Sequence, residues 1–432
     1  MQVMVPLYGF GGGSEGSGAT LTVTAPAGAT VTVSKDGKSK TRVADSSGAA
    51  VFKGLSSGEW TVTISDDTGT NEDTVQITAD YTKEMSYYGI FRDITVSSPV
   101  WAREGASEDK TATASVGTVA GASDFGSCYP WSGIQRETLS SGDVMVKIPK
   151  FWFRRFREGN IEHIQIAPKP TDGFTLHPAF NHAGVEKDCI YVGAYKTSSN
   201  NKSVSGASPQ VSQTRATMRA NAKAKGDGWG LIDIAAVSAI QMLILVEYAN
   251  NDVQSKMGRG YCDGNSEKTN VGTCDSVPNL TGRPAGTDGK VDVVWRGIEG
   301  FWGNAWEYVD GVNWNDGKYF VCNDPSKYAD DTAANYEQLS FTGALNWSSS
   351  YITEEGIDTG NNGHVMLPSA AGSGSESTYQ CDGCFSNTGW RVLMHGGEFL
   401  RDSLAGLFCD AVNADSSNDG TAICSRLQYI PQ

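Results

Sequence analysis

From Leu21 onward the chain alternates polar and apolar residues with period two. The runs LTVTAP, ATVTVSKDGKSKTRVAD, AAVFKGLSSGEWTVTISD and DTVQITADYTKEMSYY are broken by Pro26-Ala27-Gly28, Asp36-Gly37, Ser47-Gly48 and Ser57-Gly58. Alternation turns one side of each segment inward, and the glycine-containing pairs supply tight turns, so short antiparallel strands are predicted. Spaced this way over about 70 residues they make a small β-sandwich. Residues 10–18, FGGGSEGSG, offer nothing to bury and read as a tether. The expected organisation is a flexible segment at 1–18, a sandwich at 19–91 and a second domain at 92–432.

The pattern changes after FRDITVSS at 91–98. VMVKIPKFWFRRF at 144–156 opens a region of bulky aromatics with two helical stretches. One is predicted within 210–225, ending at Gly226. The other starts from Asp233 as N-cap, carries Ile234, Val237, Ile240, Gln241 and Ile244 at helical spacing, and runs to Asn250. Beyond it Gly, Asn, Ser and Asp dominate, with short apolar strands at 291–298 (VDVVWRGI) and 388–397 (TGWRVLMHGG). Two helices among long loops and short strands predict an α+β domain whose loops are functional surface. The longest apolar run, 235–246, is broken by Ser238 and Gln241 and falls short of the ~20 residues of a membrane span.

Composition narrows the class. The 432 residues are 39% hydrophobic and 10% aromatic, which excludes a wholly disordered chain, and 51 glycines without a triplet period favour a loop-rich globular protein over collagen. The net charge of −15 argues against nucleic acid or an anionic membrane as partner. Nine scattered cysteines do not form a disulfide framework. The opening MQVMVPLYGFGGG lacks the basic and apolar regions of a secretory signal, so synthesis in the bacterial cytoplasm is expected.

Catalytic and metal motifs are missing. No histidine falls in H-x-x-x-H or H-E-x-x-H, there is no phosphate loop, dinucleotide fingerprint or G-x-S-x-G elbow, and Cys381-x-x-Cys384 stands alone. DGVNWNDG at 310–317 lacks the glycine of a calcium loop and reads as a turn. Trp295, Trp302, Trp306 and Trp314 suit a structural core or, as the minor reading, a carbohydrate platform. No metal and no cofactor are expected.

The C-terminal segment carries a resemblance. GWRVLMHGGEFLRDSLAGLFCDAVNADSSNDGTAICSRLQYIPQ, with GFWGNAWEYV upstream, shares the landmarks RVL-x-x-GG, S-x-AGLF, SSN and a closing SRL. It resembles the variable proteins of diversity-generating retroelements of phages and prophages, which have a C-type lectin fold. VKIPKFWFR, GFTLHPAF, YVGAY, SVSGASPQVSQT and IQMLILVEYAN extend the likeness over much of 95–432. The N-terminal strands resemble, less specifically, immunoglobulin-like or prealbumin-like modules of tail and surface proteins. The resemblance implies a C-type lectin-like C-terminal domain with a variable region at about 390–427, in which adenine-directed mutagenesis rewrites selected positions on a fixed scaffold. Adenine replacement in an Asn codon never yields Lys, Glu, Gln, Met or Trp, and residues 399–424 contain none of these. The diversified contact residues so implied are Phe399, Leu400, Arg401, Leu404, Cys409, Asp410, Ala411, Ala414, Asp419 and Thr421, with Ala422 and Cys424 less certain. Gly396, Gly397, Ser403, Ala405, Gly406, Leu407, Phe408, Ser416, Ser417, Arg426 and Leu427 match the landmarks and are read as scaffold. Glu398 falls outside the codon rule, and Asp402 occupies an expected turn glycine.

The function implied is attachment of a phage tail, within the virion, to a host-cell surface protein or glycan, the N-terminal module contacting other tail proteins. No heptad decides between monomer and homo-oligomer. Two alternatives remain: a bacterial cell-surface adhesin of the same fold, and a formylglycine-generating-type oxidase, suggested by GNAWEYV and RVL-x-x-GG. The oxidase needs a reactive cysteine pair, and LFCDAV and AICSRL around Cys409 and Cys424 do not match that context. A non-enzymatic protein is expected. If Cys409 and Cys424 are products of diversification, their replacement by Ser leaves the melting temperature unchanged.

Overall fold

The computed structural model describes residues 19–56, 58–66, 69–77, 87–343 and 350–431. The chain divides into two units, Met1–Ser86 and Tyr87–Gln432. The tether expected at 1–18 lies outside the described residues.

In the first unit the alternating runs are strands: β1 (Ala19–Thr24), β2 (Thr30–Lys35), β3 (Lys38–Val43), β4 (Ala49–Leu55), β5 (Gly58–Asp66) and β6 (Gly69–Ile77). β1 pairs with β4, and a second sheet has the order β3-β2-β5-β6, every pair antiparallel. Val31 lies opposite Ile64 and Val33 opposite Val62. Their inward side chains join Leu21, Val23, Phe52 and Trp60 in one core. Asp36 and Gly37, with φ of 51° and 74°, make the β2–β3 turn, in which two left-handed residues match the twist of the paired strands.

The expected boundary at 91 falls inside a strand of the second unit. Tyr88–Asp93 pairs with Ile161–Ala167, setting Ile90 opposite Ile164 with both buried. Its alternation continues that of the preceding strands, so period alone could not assign it.

The second unit corrects the expectation of an α+β, lectin-like fold. Of the described residues 41% are strand and 12% helix. The described helices are α1 (Arg215–Lys223), α2 (Ile234–Tyr248) and the unexpected α3 (Val253–Met257). Stretches read as loops from their Gly, Asn and Asp content are strands, among them Trp306–Asn315, Gly383–Ser386 and Asp410–Ala414, while Trp390–His395 is a strand within the apolar stretch 388–397. In Trp306–Asn315 the polar residues Glu307, Asp310 and Asn313 are buried and paired. Asp310 accepts from Arg219 Nε at 2.8 and 2.9 Å, and Asn313 accepts from Arg215 Nη2 at 2.6 Å while donating to Ala329 O. An unpaired buried polar group costs about 1–3 kcal/mol, and these long-range partners remove that cost. Composition carries no trace of them.

Helix α2 forms the spine of the main core. All of its residues are buried, and it has no polar face. Asp233 caps it by accepting from Ala236 N at 2.9 Å, and Ala249 ends it at φ 50°. The stretch 310–317 forms a hairpin whose Asp316 and Gly317 have φ of 47° and 87°, joining Trp306–Asn315 to Lys318–Val321. The four tryptophans of this region are buried. Among the described residues no helix is long and apolar enough to cross a membrane.

Candidate functional site

The largest sheet of the second unit contains, in order, Trp306–Asn315, Trp390–His395, Asp410–Ala414 and Gly383–Ser386. Ile423–Cys424 pairs in parallel with the start of Trp306–Asn315. Where the chain leaves Trp390–His395 it must turn sharply. Gly396 and Gly397 have φ of 90° and 81°, and a Cβ on Gly397 would stand 2.7 Å from Ala405 Cβ. Any other residue there would be both strained and crowded. Gly396 N donates to Cys409 O at 2.8 Å, tying the turn to the neighbouring strand.

Beyond the glycines, Glu398 organises the loop. Its buried carboxylate accepts from Leu400 N and from Arg401 Nε, each at 2.8 Å. Arg401 also lies over the Phe385 ring, 5.3 Å from its centroid. Asp402 takes φ 50°, the conformation for which a glycine is expected. Ser403 shares a 2.7 Å hydrogen bond with Tyr351, and Phe408 N donates to Asp382 Oδ2 at 2.7 Å. Opposite, the 415–422 loop is held by Asp415 Oδ1, which accepts from Ser417 N at 3.0 Å, and by Tyr308, whose hydroxyl donates to Asn418 O at 2.7 Å. Ser416 hydrogen-bonds Asp331.

Between these loops lies a cavity of about 300 Å³. Trp306 and Phe385, edge to face with centroids 5.8 Å apart, line it together with Met394. Glu398 and Arg401 border it on one side, and Asn413, Asn418 and Thr421 on the other.

The ten candidate contact residues separate into groups. Arg401, Ala414 and Thr421 line the cavity, as does the less certain Ala422. Leu400, 52% exposed, and Asp419 are at the surface without lining it. Phe399 is half-buried, its carbonyl accepting from Asn265 N, and Leu404 is half-buried against Gly383. Cys409, Asp410 and Ala411 are corrected: they are buried and none of them lines the cavity. Asp410 and Ala411 belong to a strand with a neighbour on each side, and Asp410 pairs with His395 Nδ1 at 2.9 Å. Cys424 is also fully buried. Phe385, Met394, Asn413 and Asn418 were missed as site residues, and Trp306 was read first as core and only secondarily as part of a carbohydrate platform. The signals for them were the positions of Trp306, Met394 and Asn418 within the GNAWEYV, RVL-x-x-GG and SSN landmarks.

All nine cysteines are free and buried, including Cys381 and Cys384. Burial pushes the Cys424 thiol up to about 12 and the Cys409 thiol well above its ordinary value. A thiol so placed is neither a thiolate nor reachable by substrate. Among the described residues no cluster of three or more His, Cys, Asp or Glu is placed to hold a metal ion.

No family model matches this chain, and no curated protein matches it.

Proposed function

We propose that the chain is a non-enzymatic receptor-binding protein of a phage or prophage tail. It attaches to a protein or glycan of the host-cell surface through the cavity and its rim, and adenine-directed mutagenesis rewrites the residues there. One observation carries this reading. Arg401, Ala414 and Thr421, picked out as variable, line one cavity, while landmark residues around them make backbone turns (Gly396, Gly397) and hydrogen bonds to other segments (Phe408 to Asp382, Ser416 to Asp331). Variable side chains on a surface cost little, usually within ~0.5 kcal/mol, when the backbone is fixed by other residues. In this reading the first unit is a spacer or a contact to other tail proteins, and several copies on one particle raise weak single-site binding ~10²–10⁴-fold.

The test is adsorption of the purified chain to host cells. The triple variant Leu400→Ala, Arg401→Ala, Thr421→Ala loses adsorption and keeps its melting curve. Adsorption equal to that of the parent chain would place the binding surface elsewhere.

A further inference from the structure

With the cavity taken as the receptor-binding site, on which the assignment of its ligand rests, its chemistry selects among ligands. We infer that it takes a carboxylate-bearing sugar residue, a hexuronic-acid-type ring, whose carboxylate meets the Nη1 and Nη2 edge of Arg401 and whose carbon face covers the Trp306–Phe385 floor. Three observations converge on this class.

The first is the state of the only cation among the lining residues. Arg401 gives Nε to Glu398, and among the described residues neither Nη1 nor Nη2 has a hydrogen-bond acceptor. Both oxygens of Glu398 are engaged, by Arg401 Nε and Leu400 N, so Glu398 holds the guanidinium without occupying its outer edge. The Arg401 Cζ lies over the Phe385 ring, 5.3 Å from the centroid, so the guanidinium is braced against the floor of the cavity. A guanidinium held side-on, with its end-on pair open, is prepared for a two-pronged bond to a carboxylate.

The second is the floor. Trp306, Phe385 and Met394 are almost fully buried and edge the cavity with aromatic and thioether atoms, a narrow apolar strip that suits the C–H groups of a pyranose ring. The third is the far wall. Thr421 and Asn413 carry groups that both donate and accept, as sugar hydroxyls do. At about 300 Å³ the cavity lies at the small end for ligand pockets, the scale of one ring. An acidic peptide side chain would satisfy Arg401 but bring neither a ring face nor hydroxyls.

The probes are methyl glucuronoside, methyl glucoside and a capped aspartyl dipeptide, titrated into the full chain by calorimetry and saturation-transfer NMR. The glucuronoside binds at least ~10-fold tighter than the glucoside, the increment of a charge-assisted bond, and the dipeptide binds no better than the glucoside. Arg401→Ala removes the preference with an unchanged melting curve, and Arg401→Lys, lacking the fork, recovers little of it. Equal affinity for the two sugars, a preference that survives Arg401→Ala, or tighter binding of the dipeptide would each overturn the inference. Adsorption of the parent chain to host cells is measured alongside. Adsorption without a glucuronoside preference defeats the sugar assignment alone, whereas a glucuronoside preference without adsorption defeats the receptor reading alone.

Discussion

Arg426 and Glu307 form a doubly bonded ion pair inside the second unit. Arg426 Nη2 lies 2.6 Å from Glu307 Oε1 and Nε lies 2.9 Å from Oε2, with both side chains at most 1% exposed. Lys196 Nζ adds a third contact to Glu307 at 2.7 Å, and Arg426 also donates to the carbonyls of Gly193 and Glu299. The pair joins the GNAWEYV and SRL landmarks, beside the strands that carry the cavity.

Breaking that pair leaves a buried charge without its partner. Arg426→Met and Glu307→Gln should each destabilise the second unit by about 3–5 kcal/mol in urea unfolding. Values under 1 kcal/mol would show that the pair does not organise the scaffold.

Two buried acids give opposite pH signatures. Burial raises the Glu307 carboxyl, but Arg426 and Lys196 more than offset this and hold it at about 2. Its contribution is present above the unfolded value of 4.5 and is lost as pH falls toward 2. Glu355 is also buried, and there burial wins over Arg155 and carries the carboxyl up to about 8. Its contribution is complete below 4.5 and disappears as pH rises through about 8. Glu355→Gln should flatten the decline of stability between pH 4.5 and about pH 8, the window in which the unfolded chain has lost the proton that the folded chain keeps. A decline identical to that of the parent chain would contradict this placement.

The cysteines yield a prediction opposite to the one drawn from diversification alone. Cys409 and Cys424 are buried free thiols, Cys409 in an apolar cluster and Cys424 beside Lys196, Glu307 and Arg426, so a serine in either place loses packed volume and needs a buried partner for its hydroxyl. Each Ser variant should lower stability by about 1–3 kcal/mol, and a reductant should leave the melting of the parent chain unchanged. Unaltered melting of both Ser variants would mean that these side chains are not packed in the core.

Gly397→Ala tests the turn beneath the cavity. With φ at 81° and Ala405 in the way, the variant should lose roughly 1–3 kcal/mol and weaken cell adsorption. Parent-like stability would show that the turn has another conformation open to it.

What the sequence made legible was local. The alternation around Val31, Val33, Trp60 and Val62, the Asp233 cap of α2 and the Asp316-Gly317 turn all follow from neighbours along the chain. What it concealed was long-range pairing. Asp410 looks like a loop residue among Asn, Ser and Gly until His395 is seen beside it. The buried Asp310 and Asn313 look solvated until Arg219 and Arg215 reach them from α1. Half of the site was hidden for the same reason. Arg401 and Thr421 stood in the suspect segment, but the floor under them comes from Trp306 and Phe385 on strands that only the fold brings together.

The most direct measurement is DNA sequencing of this gene and its neighbourhood across a population of genomes that carry it. The expected finding is a near-copy of the last ~45 codons in which differences from the gene occur only at adenines of the copy, since surface positions tolerate exchange at small cost. Variation should fall at Leu400, Arg401, Asp419 and Thr421, leaving Glu307, Glu398, Gly397 and Arg426 constant. The absence of such a copy, or differences at positions where it carries other bases, would contradict the claim that this surface is rewritten on a fixed scaffold.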